Sequence, residues 1–100
     1  MENEKWLRCT VSAGQFPCEF AVSVQSADGR GFSLFAPEED VDVPQPPTER
    51  ETVSGWIRVS VIERQGGLVL IRLPREAIEH GAFIAVRDDQ LEMRRQRQEA

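Results

Sequence analysis

Apolar and polar side chains trade places every second residue through most of this chain, and that alternation limits the fold more than any other feature. In WLRCTV, Leu7, Cys9 and Val11 fall to one side and Trp6, Arg8 and Thr10 to the other. EFAVSVQ sets Phe20, Val22 and Val24 against Ala21, Ser23 and Gln25, and GFSLFA sets Phe32, Leu34 and Ala36 against Phe35. GWIRVSVIER repeats the pattern with Ile57, Val59 and Val61 opposite Trp56, Arg58 and Ser60. A two-residue period places successive side chains on opposite faces of a strand, so each segment reads as a half-buried β-strand. LVLIRLP carries Val69, Ile71 and Leu73 on its inner side but is apolar at Leu68 and Leu70 as well, which predicts a strand that is central or covered outside. AFIAVR closes the series with Ile84 and Val86 inward.

The punctuation between strands agrees with this reading. Asp28-Gly29 is a hairpin signal, because the turn needs a positive φ that glycine adopts without a steric penalty. Gln65-Gly66-Gly67 supplies a second turn. PREAIEHG reads as one or two helical turns, with Pro74 at the first helical position and Gly81 just past the end. No internal repeat stands out beyond two hairpins of similar length.

Five or six short strands, two tight hairpins and a helical turn before the last strand predict an all-β chain folded as a small barrel or sandwich. That order resembles an SH3-like barrel at the level of architecture, and the resemblance carries no activity. An OB-like barrel is the alternative, set second because no longer helix separates the middle strands. Residues 1–90 are expected to form the one domain, with an acidic, proline-rich loop at 37–52. Residues 91–100 are expected to be a frayed or helical tail, docked by Leu91 and Met93 and capped by Asp88 or Asp89.

Charge is distributed unevenly. The chain has 17 acids and 12 bases, and residues 38–51 hold six of those acids (Glu38, Glu39, Asp40, Asp42, Glu49, Glu51) and one base, Arg50. The remaining eleven of each sign cancel, so the whole net charge of −5 sits in this stretch. A neutral body with an acidic loop does not attract phosphate backbones at long range. Nucleic acid is therefore a disfavoured partner, although Arg8, Arg58, Arg72, Arg94, Arg95 and Arg97 could line a binding face. No apolar run approaches the roughly 20 residues of a membrane span, and MENEKW shows no secretory h-region, so a cytoplasmic protein with no membrane partner is expected.

The search for chemistry yields no catalytic residue, no metal site and no cofactor. His80 is the sole histidine, near Glu76 and Glu79 in the expected helical end, and no spacing places it beside Cys9 or Cys18. The two cysteines lack the ligand cluster of a zinc site and read as buried thiols. EEDVD offers carboxylate pairs, yet prolines and mutual repulsion favour extended chain over a preorganised site, and the EF-hand order is missing.

Aromatic residues are more suggestive. By strand parity Trp6, Phe35 and Trp56 lie opposite the main core, where they form either a second core or an exposed patch. Arg8 and Arg58 beside the tryptophans would suit an acidic ligand, including Glu38, Glu39, Asp40 and Asp42 of the chain itself. The leading expectation is a non-enzymatic module that binds a protein partner, or a second copy, through a sheet face or edge and the acidic loop. A small-ligand protein or carboxylate-dependent enzyme, with its site between that loop and the barrel mouth, is the alternative.

Overall fold

The computed structural model describes residues 4–79 and 81–92 of the chain. The elements are β1 (Glu4–Ala13), β2 (Glu19–Gln25), β3 (Gly31–Pro37), a 3₁₀ turn (Glu38–Asp40) and β4 (Val41–Asp42), followed by β5 (Thr52–Gln65), β6 (Leu68–Ala77), β7 (Gly81–Arg87), a second 3₁₀ turn (Asp88–Gln90) and β8 (Leu91–Glu92). Every pairing is antiparallel, in the order β3-β2-β1-β5-β6-β7, with β4 added to β5 and β8 to β1. The sheet twists and curls into a half-barrel, as right-handed strands do when one face is apolar. Its concave side holds the alternating residues expected inside, among them Leu7, Val22, Leu34, Ile57, Ile71 and Val86.

The mainly β class and the two hairpins stand, and Gly29 has the positive φ (85°) its turn requires. Several details differ. Among the described residues eight strands form rather than five or six, two of them only two residues long. Within PREAIEHG, residues 74–79 are not helical: β6 runs through Pro74 to Ala77, with Leu73 and Ala77 buried. Pro74 lies past the last β5 pair at Arg72 and inside a shift of the β6–β7 register between Arg72 and Ala77, where its missing N–H breaks no ladder bond. The short helical turn instead follows β7, with Arg87 rather than an aspartate in the capping position. Leu91 and Glu92 are strand, not tail. Met93, the tail arginines Arg94, Arg95 and Arg97, and His80 lie outside the described residues. Cys9 is buried as expected, but Cys18 is exposed in a turn with φ of 67°.

The largest difference is a repeat. The first five elements recur in the same order as the second five, 3₁₀ turn and two-residue strand included. Leu7 pairs with Ile57 near the centre of the β1–β5 ladder, and the two positions are 50 apart. Val41 pairs with Ile57 while Leu91 pairs with Leu7, again 50 apart. A pseudo-twofold axis therefore passes through the Leu7–Ile57 pair and exchanges the halves. The clasps that hold the curl follow it approximately. Ala27 N at the β2–β3 turn donates to Ala85 O of β7 at 2.8 Å, and Ile78 N past β6 donates to Ser33 O of β3 at 2.7 Å.

Identity within the aligned strands is confined to Trp6/Trp56, Arg8/Arg58, Val11/Val61 and Gly31/Gly81. The second strands are out of step by one, Val22 matching Ile71 at a spacing of 49. A β-bulge between Val61 and Glu63 accompanies that shift. The repeat conserves inward size and polarity, which many residues satisfy, so a comparison of letters passes over it.

The repeat also divides the acidic stretch. Glu38–Asp40 is the first 3₁₀ turn and Val41–Asp42 pairs with β5, while Val41 and Val43 pack against the core. The connector between halves is what remains, from 44 to 51, mostly exposed. Replacing the exposed Pro44, Gln45 and Pro46 by serine should lower stability by no more than about 2 kcal/mol in urea titration, the loss coming from the freer unfolded chain. Deleting 40–48 should be far more damaging because it removes β4. Equal effects of the two changes would contradict this division.

Candidate functional site

The outer face of the central ladder is built by register. Trp6 pairs with Arg58 and Arg8 with Trp56, so each tryptophan faces the other half's arginine. The Arg58 guanidinium lies 5.2 Å from the Trp6 ring centroid and that of Arg8 lies 5.3 Å from Trp56. Each such stack contributes about 0.5–1 kcal/mol at a partly exposed site. Both tryptophans are half-buried as a result, neither a second core nor an open patch. Phe35, 36% exposed, is elsewhere: it pairs with Ala21, and Ala21 with Ser12. Ser12 is six residues along β1 from Trp6, about 20 Å at strand spacing.

Each arginine borders a fork. β4 pairs with β5 as far as Ile57, and β6 takes over at Ser60, so the edge opens at Arg58 and Val59. The pocket there measures about 280 Å³. The chain's own oxygens fill its cationic side. Arg58 Nη1 lies 3.5 Å from Glu4 Oε2 and Nε lies 3.4 Å from Asp40 Oδ1. Arg58 Nη2 donates to Glu39 O at 2.7 Å. The Asp40 contact is an ion pair without hydrogen-bond geometry, leaving Nε buried and without a hydrogen bond. Burial raises the Asp40 carboxyl above its usual range, outweighing the attraction of Arg58. Of the other acids, Glu38 and Glu39 expose their side chains and Asp42 is half-buried on β4 opposite Trp56. The acids are thus dispersed, and one is consumed within the fold.

The pseudo-twofold mate of this pocket lies where β8 leaves β1 at Leu7 and β2 joins at Thr10. It measures about 370 Å³ and is lined by Arg8, Thr10, Ser23, Ser54, Arg87 and Gln90, among others. Gln90 is fixed on both sides, its Nε2 donating to Gln25 O at 2.9 Å and its Oε1 accepting from Arg87 N at 2.8 Å. Arg87 Nε is 3.1 Å from Asp89 Oδ1 and its Nη1 donates to Ala27 O at 3.3 Å.

Beyond Ala27 begins a third, apolar groove of about 410 Å³, lined by Phe32, Leu68, Leu70, Phe83 and Ala85 and by the β2–β3 turn. β6 is central, as its two apolar faces predicted, since it pairs with both β5 and β7. The outer face that it shares with β7 nevertheless stays open, with Leu68 of β6 45% and Phe83 of β7 48% exposed. The doubly apolar LVLI run, which predicts a strand that is central or covered outside, is the signal for this surface, and the first alternative holds. Phe16 and Ile78 are also exposed, but neither lines this groove.

The described residues contain no group of three or more His, Cys, Asp or Glu able to hold a metal ion, and no helix long and apolar enough to cross a membrane. Burial pushes the Cys9 thiol up to about 12, far from a reactive thiolate. No family model, curated protein or solved structure matches the chain.

Proposed function

We propose that this protein is a non-enzymatic interaction module that holds an apolar segment of a protein partner against the outer face of β6 and β7. The observation that carries the reading is the pair of half-exposed large side chains, Leu68 and Phe83, flanking Leu70 and Ala85 in one groove. Contiguous exposed apolar surface costs solubility and is concentrated at binding sites. A net charge of −5 disfavours nucleic acid as the occupant. We place the module in the cytoplasm, where reducing conditions keep thiols such as Cys9 and Cys18 free.

The test is site-specific crosslinking. A photoreactive phenylalanine analogue at position 83 should give a defined adduct in cells, and the same group at the exposed position 16 should not. Leu68→Ser with Phe83→Ser should weaken the interaction at least tenfold, since a buried Leu or Phe contributes about 1.5–3 kcal/mol. The fold should survive, because both side chains are already half in water. Equal labelling from positions 16 and 83, or an adduct insensitive to the double substitution, would reject the groove. An adduct to a second copy of this chain would make self-association the function.

A further inference from the structure

The two forks are the same site built twice, and the described residues fill only one of them with carboxylates. Arg58 receives the carboxylates of Glu4 and Asp40. The positions related to these by the pseudo-twofold, 50 residues on, are Ser54 and Gln90. Both line the Arg8 pocket, as does Arg8 itself. Among the described residues Arg8 forms none of the ion pairs that Arg58 makes, and its guanidinium stacks on Trp56. The Arg8 pocket is also the larger, about 370 Å³ against 280 Å³. Its remaining polar lining is rich in donors: the hydroxyls of Thr10, Ser23 and Ser54, and Arg87, which already shares Asp89.

We infer that the Arg8 pocket is a binding site for a carboxylate side chain on an acidic segment of a protein partner. The Arg58 side shows which chemistry the scaffold accepts at this position. A guanidinium fork matches a carboxylate in plane, and stacking on the tryptophan fixes that plane before the ligand arrives. Glu4 and Asp40 act as the built-in occupant of one fork, and the partner supplies the equivalent groups to the other. A protein segment is the favoured source, because the built-in carboxylates are themselves side chains of a polypeptide, Glu4 and Asp40, the latter closing the run Glu38-Glu39-Asp40. The site goes beyond the apolar groove and stands without it, although Arg87 and Ala27 connect the two.

The probe is a labelled peptide of residues 36–43, APEEDVDV, titrated into the full-length protein at physiological salt and followed by fluorescence anisotropy. Saturable binding that weakens with added salt is expected, and a peptide with its acids replaced by amides should bind at least tenfold more weakly. Arg8→Gln should lower affinity by about tenfold or more, the usual effect of removing a charged hydrogen-bond partner. Ser54→Glu combined with Gln90→Asp installs the carboxylates of the Arg58 side, and should abolish binding with an unchanged circular dichroism spectrum. Equal affinity for the acid and amide peptides, or for the wild type and either variant, would overturn the inference. So would tighter binding of free glutarate or inorganic phosphate than of the peptide, which would assign the pocket to a small anion.

Discussion

Replacement of Ile57 by alanine is expected to lower stability by about 2–5 kcal/mol, the range for truncating a fully buried aliphatic side chain. Ile57 is 0% exposed and stands at the pseudo-twofold axis, paired with Leu7 of β1 on one edge and Val41 of β4 on the other. Three strands from both halves therefore border the cavity that the substitution leaves, and no single loop can collapse into it. A domain of this size has only about 5–15 kcal/mol of net stability, so the change should move the urea midpoint well outside experimental error. The pseudo-symmetry makes a companion prediction: Leu7→Ala, also 0% exposed, should cost a similar amount. Because the two residues are paired, the double variant should depart from the sum of the single ones. A loss below about 1 kcal/mol for either residue would show that the axis is not a packing centre.

The second large effect is expected at Gly55, where a Cβ is excluded by close approach and not by backbone conformation. Gly55 is buried in β5, and an added Cβ would come within 2.7 Å of Val43 Cγ1, 3.0 Å of Asp42 O and 3.1 Å of Val11 Cγ2. The Val43 methyl can rotate away, but the Asp42 carbonyl is backbone and Val11 is in the core. Gly55→Ala should therefore cost about 1–3 kcal/mol, the range for overpacking, and Gly55→Val more. The strain should fall on β4, whose displacement would carry Asp40 away from Arg58. Adding Val43→Ala to Gly55→Ala should recover part of the loss, a coupling that a double-mutant cycle in urea would measure. If Gly55→Ala is neutral, β4 does not lie against β5 as described.

Much of the fold was legible because it rests on local rules. Strand period, inward residues and the Asp28-Gly29 and Gly66-Gly67 turns depend on neighbours in sequence, and the structure keeps them. Pro74 was misread for the same reason. Proline followed by helix formers favours a helical start locally, but burying Leu73 and Ala77 along β6 outweighs that preference. The acidic stretch looked uniform because charge and proline content conceal Val41 and Val43, whose alternation marks the piece that joins the sheet. The repeat had one visible trace, Trp6-Leu7-Arg8 against Trp56-Ile57-Arg58, easily missed without the pairing that superposes them.

The candidate sites divide in the same way. Arg8 and Arg58 could be picked out beside tryptophans, but which carboxylate reaches which arginine depends on residues far apart in the chain. Asp40 meets Arg58 across a connection of 17 intervening residues, and the mate position holds Gln90. Phe35 shared its parity with the tryptophans and still lies far from them, because parity chooses a face and register chooses a place on it. By itself the sequence determined the β class, the inward faces, the hairpin turns and the location of the net charge. Each of these follows from side-chain spacing of a few residues. Only the tertiary structure decided that the chain is two matching halves, that one arginine fork is filled from within, and that the outer face of β6 is open. Those outcomes depend on which distant strands pair and in what register, and no spacing within a segment encodes that choice.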